Sequence, residues 1–342
     1  MKILSRIPSL VLVALLIAST SCTEAPGKTK KQLGIATYSV KGLESNLEGA
    51  FESLQQNGYV VMEIANYNAD EGTVAGYSPS DYAALAEKYG MDIISSHARA
   101  KFDVTDVEGT LAAWAKVFDD HKAMGTKYVV FPMNRWANNN EQMKLECDLM
   151  NKVGEAANKR GIKFGYHNHS REFENIPETD QRILDFLIAN TNPENVFFQM
   201  DVFWVTVGGQ DPVVYLKKYP NRFKVLHIKD DYVVGESGKI DYNAIFNQFY
   251  ENGHEDWFME MEEYMTEEQR AQMKARMEQM RNRQRESAQQ GGEGARAGQD
   301  GERRRSFSRP QYTPEEEAER LKTALEGISL SAAYLRASDF VK

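Results

Sequence analysis

From Leu33 onward the chain repeats one unit, a short apolar and often β-branched run followed by a longer amphipathic stretch. The runs predict strands over Leu33–Ser39, Tyr59–Ile64, Asp92–His97, Tyr128–Phe131, Lys163–His167, Val196–Asp201, Val225–Lys229 and Trp257–Glu262. The stretches between them predict helices over Glu44–Asn57, Ser80–Tyr89, Val107–Met124, Glu141–Arg160, Asp180–Asn190, Pro212–Tyr219 and Tyr242–Asn252, with a last one over Pro314–Arg336. Gly58, Gly90, Gly125, Gly161 and Gly253 each fall just past a helix, where a left-handed residue ends it. Strands that alternate with helices pair in parallel, and eight such units close into a single-domain (β/α)8, or TIM, barrel. An open doubly wound sheet is the rival arrangement, but no GxGxxG motif follows the first strand.

Two segments break this rhythm. At the start, Lys2 and Arg6 flank the beginning of an apolar stretch whose core, Leu10 to Ala18, is too short to span a bilayer. Ser19-Thr20-Ser21-Cys22 then places small residues before a cysteine, so residues 1–22 read as a secretory signal. The segment resembles a bacterial lipoprotein signal, although Ser19 stands where leucine is usual. That resemblance implies a lipid anchor at Cys22, a polar tether over 23–31 and a periplasm-facing position in the cell envelope. An uncleaved N-terminal anchor is the alternative. The second segment, Thr266–Arg309, is crowded with Glu, Gln, Arg and Gly and cannot bury enough surface to offset its ordering entropy. It reads as a flexible, charged, low-complexity insertion before the last helix of a barrel spanning 32–342. Its first half, Thr266–Ser287, has the pattern of a solvated helix. A tolerated surface excursion is the favoured reading of the insertion over a lid or docking loop.

The remaining cysteine, Cys147, sits among apolar residues of a predicted helix and reads as core, and no intrachain disulfide is expected. A net charge of −9 argues against a nucleic-acid partner, which demands a concentrated basic surface.

In a barrel of this kind the site forms at the C-terminal strand ends. Those ends offer Tyr38, Glu63, His97, His167 with His169, Asp201, His227 with Lys229, and Glu260 with Glu262. Four of the six histidines are among them; His121 and His254 fall in or beside helices and read as surface residues. Strand alternation puts His227 with Lys229, and Glu260 with Glu262, on one inward face. Any single one of these residues reads equally well as structural. As a set converging from successive strands, imidazoles and carboxylates call for one divalent cation, which keeps the acids ionised and the imidazoles neutral. Mixed N/O ligation suits Mn2+, Zn2+, Co2+ or Fe2+ better than Mg2+ or Ca2+.

The stretch Tyr166-His167-Asn168-His169-Ser170-Arg171-Glu172-Phe173 resembles the Tyr-His-Asn-His-x-x-Glu-Phe signature of sugar phosphate isomerase/epimerase proteins, of the xylose-isomerase-like barrel superfamily. Met200 to Trp204, Gly208 to Pro212, His227 to Asp230 and Trp257 to Glu260 continue the likeness, and Ser329 to Leu335 resembles the family's last helix. The resemblance implies metal ligands at Asp201, His227 and Glu260. The strand-five ligand, a glutamate in the well-studied epimerases, falls here on His167, with Asn168 and His169 as alternatives. That change puts a symmetrical two-glutamate mechanism in doubt.

The implied chemistry is proton removal from a carbon beside a carbonyl, with a chelating metal stabilising the enediolate. Glu260 would be the general base, with His169 or Glu172 at the other face of the substrate. Lys229 would neutralise a developing oxyanion or pair with Asp230 or Glu262. Glu63 and His97 read as contacts to substrate hydroxyls or as orienters of a ligand. Trp204 reads as a stacking face for the sugar or as a cap on the barrel. The expected function is a metal-dependent isomerase or epimerase acting on an unphosphorylated keto-sugar, because no glycine-rich phosphate cradle is present and an exported enzyme meets few phosphosugars. The alternatives are a lyase or hydratase for a 3-keto-glycoside, a non-catalytic sugar-binding lipoprotein and an endonuclease-IV-like nuclease. The acidic charge disfavours the last.

Overall fold

The computed structural model describes residues 31–266 and 312–342, together with single helical positions at 268, 272, 275 and 279. The signal expected over residues 1–22 and the glycine-rich half of the insertion lie outside the described residues. Eight parallel strands follow one another around a closed barrel: β1 (Leu33–Ala36), β2 (Tyr59–Ile64), β3 (Asp92–His97), β4 (Tyr128–Phe131), β5 (Lys163–His167), β6 (Val196–Asp201), β7 (Phe223–Ile228) and β8 (Asp256–Met259). The last closes on the first through Ile35 opposite Met259. The helices are α1 (Leu47–Gln56), α2 (Pro79–Lys88), α3 (Val107–Ala123), α4 (Asn140–Asn158), α5 (Ile183–Asn190), α6 (Val202–Val207), α7 (Pro212–Lys218), α8 (Tyr242–Glu251) and α9 (Pro314–Ala337). The expected barrel is therefore present, and the chain between β8 and α9 is where the insertion was placed.

Local chemistry sets these boundaries. Side chains of Asn46, Ser78, Asp106, Asn139, Asp241 and Thr313 accept hydrogen bonds from the first free backbone N–H groups of their helices. The five glycines expected past helix ends all have positive φ, between 70° and 86°. Three strands end earlier than expected, β7 by one residue at Ile228 and β1 and β8 by three each. The chain leaves β1 at Ala36 for a 3-10 turn over Thr37–Ser39, whose hydroxyls accept from the backbone N–H groups of Ala65 and Met261, both at 2.9 Å. β8 stops at Met259, so Glu260 and Glu262 stand just beyond the ladder. Two elements were not anticipated: the small antiparallel hairpin of Tyr67–Asn68 with Thr73–Val74, and α6, which follows β6 without a loop.

The bore of the barrel is filled by Ala36, Tyr128, Val130, Phe197, Val225 and Phe258. Gly165 makes room for this layer, because a Cβ there would lie 2.5 Å from the Phe197 ring. Stepping two residues along each strand keeps the inward direction and changes the chemistry. Phe197 leads to Gln199 and Asp201, Val225 to His227 and Lys229, and Phe258 to Glu260 and Glu262. The apolar floor thus carries a polar layer at the C-terminal mouth.

Cys147 is buried in α4, as its neighbours implied. The surface placement of His121 is corrected: the residue is fully buried. It continues the inward stripe of α3 set by Thr110, Trp114, Val117 and Phe118, and its ring meets Tyr67 edge-on at 4.6 Å. Nδ1 bonds to the Val117 carbonyl at 2.6 Å, while burial pushes the imidazole down to about 4. Between that value and an unfolded-state value near 6.5, the unfolded chain binds a proton that the native chain refuses, so stability falls as the pH drops through this window. The expected slope is about 1.4 kcal/mol per pH unit. Urea unfolding of wild type and His121→Leu at a series of pH values should show the difference between them shrinking by that amount on acidification; parallel stability curves would refute the assignment.

Candidate metal centre and active site

The polar layer is organised around Glu63, at the end of β2 and 1% exposed. Its Oε1 accepts from His227 Nε2 at 2.6 Å and lies 3.1 Å from His97 Nε2. Its Oε2 accepts from Ser95 Oγ at 2.6 Å and from Gln199 Nε2 at 2.7 Å. Because a carboxylate only accepts, the Gln199 amide must turn its nitrogen to Glu63 and its oxygen away. That oxygen meets His97 Nε2 at 2.7 Å and His167 Nδ1 at 3.0 Å, so both ring nitrogens carry protons. The chain of contacts thereby fixes imidazole tautomers. His167, held well below the usual imidazole range by burial, keeps its lone pair on Nε2, 3.8 Å from Asp201 Oδ2. His227 gives its Nε2 proton to Glu63 and turns Nδ1 to the mouth.

Asp201, His227 and Glu260 each bring a ligand atom within 4.8 Å of the other two. Asp201 sits opposite His227 in the β6–β7 register, and His227 Nδ1 lies 3.1 Å from Glu260 Oε2 without forming a hydrogen bond. Asp201 Oδ1 caps α6 by accepting from the Trp204 N–H at 3.0 Å, while Oδ2 is buried with no partner. Burial therefore raises the Asp201 carboxyl. Burial also pulls His227 down, but Glu63 and Glu260 outweigh it and push the imidazole up to about 10. The carboxylates that draw a proton to Nδ1 would equally draw a cation. Unpartnered buried polar atoms are costly, and two of them, Asp201 Oδ2 and His227 Nδ1, belong to one mixed N/O donor set. These residues fit one divalent ion, with His167 Nε2 beside them. A second trio, His97 with His167 and His227, is equally close. Its nitrogens toward Gln199 and Glu63 are already engaged, which favours the Asp201 set.

Lys229 is buried and donates to Glu260 Oε1 at 2.8 Å and Glu262 Oε1 at 2.5 Å. Burial lowers its ammonium, but Glu260, Asp201 and Glu262 outweigh this and hold it above the usual range. Burial likewise raises Glu260, and Lys229 with His227 more than reverses that, so the carboxylate stays ionised. The pairing with Glu262 is present; Asp230 instead accepts from the Asp231, Gly235 and Ser237 backbone N–H groups.

Two residues read as candidate substrate contacts, Glu63 and Glu172, have both oxygens engaged by protein groups, which for Glu63 matches its alternative reading as an orienter. Glu63 is occupied at both oxygens beneath the mouth and orients imidazoles. Glu172 is buried, accepting from Tyr166 Oη and from the His169 backbone N–H, both at 2.8 Å, so it caps the turn that presents His169. Asn168 bridges to the Asp201 backbone at 3.3 and 3.4 Å. The His97 ring stacks on His227 at 5.1 Å. His169, pushed down to about 4 by burial, and half-buried Trp204 line a cavity of about 950 Å3 outside the cluster, together with Tyr38 and Glu262. Sequence reasoning missed Gln199 and Ser95. Each lies two residues before a named mouth residue on the same strand, so inward parity was the available signal.

Comparison with known proteins agrees with this architecture. A family model described as xylose isomerase-like TIM barrel matches residues 51–283. An inosose dehydratase of Clostridium beijerinckii is 29% identical over 144 residues, covering 35% of this chain and 47% of the relative. The chain thus spans about half the length of that curated relative. A crystal structure of a sugar phosphate isomerase/epimerase from Parabacteroides distasonis superposes with a TM-score of 0.72 at 27% identity, over 93% of this chain and all of that one. The IolI protein, solved with a bound zinc atom, shares the fold at 18% identity and a TM-score of 0.51, over 68% of this chain and 88% of its own. With two thirds of its length under the family model and the closed eight-stranded barrel in place, the chain belongs to the xylose isomerase-like TIM barrel family.

Proposed function

We propose that this protein binds one divalent cation through Asp201, His227 and Glu260, with His167 as a fourth ligand, and epimerises or isomerises an unphosphorylated polyhydroxy ketone. The observation that carries the reading is the convergence of three ligand atoms within 4.8 Å, two of them buried without a hydrogen-bond partner. When bound, the cation supplies Lewis-acid polarisation of a carbonyl and an adjacent hydroxyl. The chain supplies the rest. Glu260, kept ionised by Lys229 and His227, is in the state that accepts a proton from carbon. His169, an uncharged imidazole, lines the cavity just outside the cluster and serves the other face of the substrate. Lys229 holds Glu260 and Glu262 in place and offsets negative charge that develops beside them. An exported position, as the leader-like N-terminus suggests, fits a substrate without phosphate.

A dehydratase working through the same enolisation is the second reading. Two observations favour it: His167 stands where a second acidic ligand is expected, and the relative from Clostridium beijerinckii is named a dehydratase. Proton NMR of keto-sugars incubated with the purified protein in deuterated water separates the two. Deuterium entering the carbon beside the carbonyl with every hydroxyl retained supports epimerisation, and loss of water supports dehydration. If neither occurs across a broad panel with Mn2+, Zn2+ or Co2+ supplied, the enzymatic reading fails.

Glu260→Gln should lower the exchange rate by about 10²–10⁴-fold, the usual contribution of one positioned proton carrier. A rate within a few-fold of wild type would remove Glu260 from that role. Glu63→Gln should weaken metal affinity by about 10–100-fold, because the carboxylate that holds the His227 ring and tautomer is gone. Calorimetric titration of each metal into wild type and variant reads this directly, and equal affinities would show that His227 needs no such support.

A further inference from the structure

We infer that the mouth continues into an outer subsite for a second ring, so that the substrate is an uncharged glycoside larger than a monosaccharide; this rests on the reading of the mouth as a sugar site. The cavity beside the cluster, about 950 Å3, begins at His169, Trp204 and Glu262 and runs outward to Tyr264, Tyr312 and the first turns of α9. That volume is at the upper end for pockets that enclose drug-sized ligands, and one ring held at the metal ligands leaves much of it open.

Two aromatic faces define the outer part. Tyr264 and Tyr312 are 50% and 37% exposed, unusual for large rings that line a concavity. Each is held by a neighbouring side chain. Tyr264 meets the Tyr232 ring at 5.2 Å, and Tyr312 lies 3.8 Å from the Arg320 guanidinium, which is itself clamped to Glu263 at 2.6 and 3.2 Å. A sugar ring presents an apolar C–H face and a hydroxyl edge, and a rigid aromatic plate rimmed by carboxylates matches both. Charge selects the class of that second unit. Four carboxylates, Glu262, Glu263, Glu316 and Glu319, line the cavity with two cations, Lys41 and Arg320, while Lys229 pairs with Glu262 and Lys322 with Glu319 from beside it. A phosphate or carboxylate would meet net repulsion there, and a neutral ring would not.

Isothermal titration of the full-length mature protein with glucose, cellobiose and maltose tests this without requiring turnover. At least one disaccharide should bind about tenfold tighter than glucose, the scale expected of one or two stacking contacts. The double variant Tyr264→Ala/Tyr312→Ala should collapse that ratio toward one, and Tyr264→Phe/Tyr312→Phe should keep it, because phenylalanine preserves the plate. Single alanine variants replace the double variant where circular dichroism shows that it does not fold. Equal affinities for mono- and disaccharides in wild type, an absence of disaccharide binding, or a ratio that survives alanine would each overturn the proposal. Deuterium exchange failing while the ratio holds would sink the reaction and leave the subsite standing.

Discussion

The hydrogen bond between His227 Nε2 and Glu63, 2.6 Å long and sealed from water, is the contact on which the mouth depends. It joins β7 to β2 across the bore, since β8 and β1 lie between them in the wall. Buried charges of this kind are costly unless every lone pair finds a donor, and Glu63 has one at each oxygen. Through Gln199 the same carboxylate reaches His97 on β3 and His167 on β5. One acid therefore sets ring orientation and tautomer on three strands, and only then do the ligand atoms face a common point.

Asp201 shows how the fold serves local structure and site together. One oxygen ends β6 and starts α6 by capping it, which fixes the side chain, and the other is left bare in the mouth. Lys229 has a comparable double part, bridging Glu260 to Glu262 and helping to hold the buried Glu260 carboxyl well below its usual range. Without that ammonium, burial would act on Glu260 with less to oppose it and raise its carboxyl.

The barrel was legible because apolar alternation, caps and helix-ending glycines all report local physics. The inner strands ended where written, at Ile64, His97, Phe131, His167 and Asp201. Those that ran over, at Ser39, Lys229 and Glu262, did so because apolar pattern cannot show where the ladder loses its partner. Strand-end position and inward parity pointed to the polar mouth, while the choice of Asp201, His227 and Glu260 within it came from the family resemblance. Glu172 was not, because its role lies in a turn whose hydrogen bonds are set by Tyr166 and the His169 backbone. Gln199 was passed over because an amide is not a ligand type, although its fixed orientation governs two imidazoles. His121 was misread as surface since a polar residue near a helix end usually faces water, yet its spacing from Trp114 and Val117 places it on the buried stripe.

The imidazole at strand five has a consequence for charge. In the proposed site Asp201 and Glu260 would set two carboxylate charges against one divalent cation, and His167 is kept neutral by burial. A third acidic ligand would leave net negative charge in a bore where screening is weak. A neutral fourth ligand would also leave more of such a cation's field for a substrate carbonyl, which would acidify the neighbouring C–H and lessen the basicity asked of Glu260 in the proposed reaction. That fits a Glu260 whose own basicity is held down by Lys229 and His227. In the proposed reaction the weak base and the imidazole at strand five would be two sides of one electrostatic arrangement, with a carboxylate, Glu260, facing one side of the substrate and an imidazole, His169, the other.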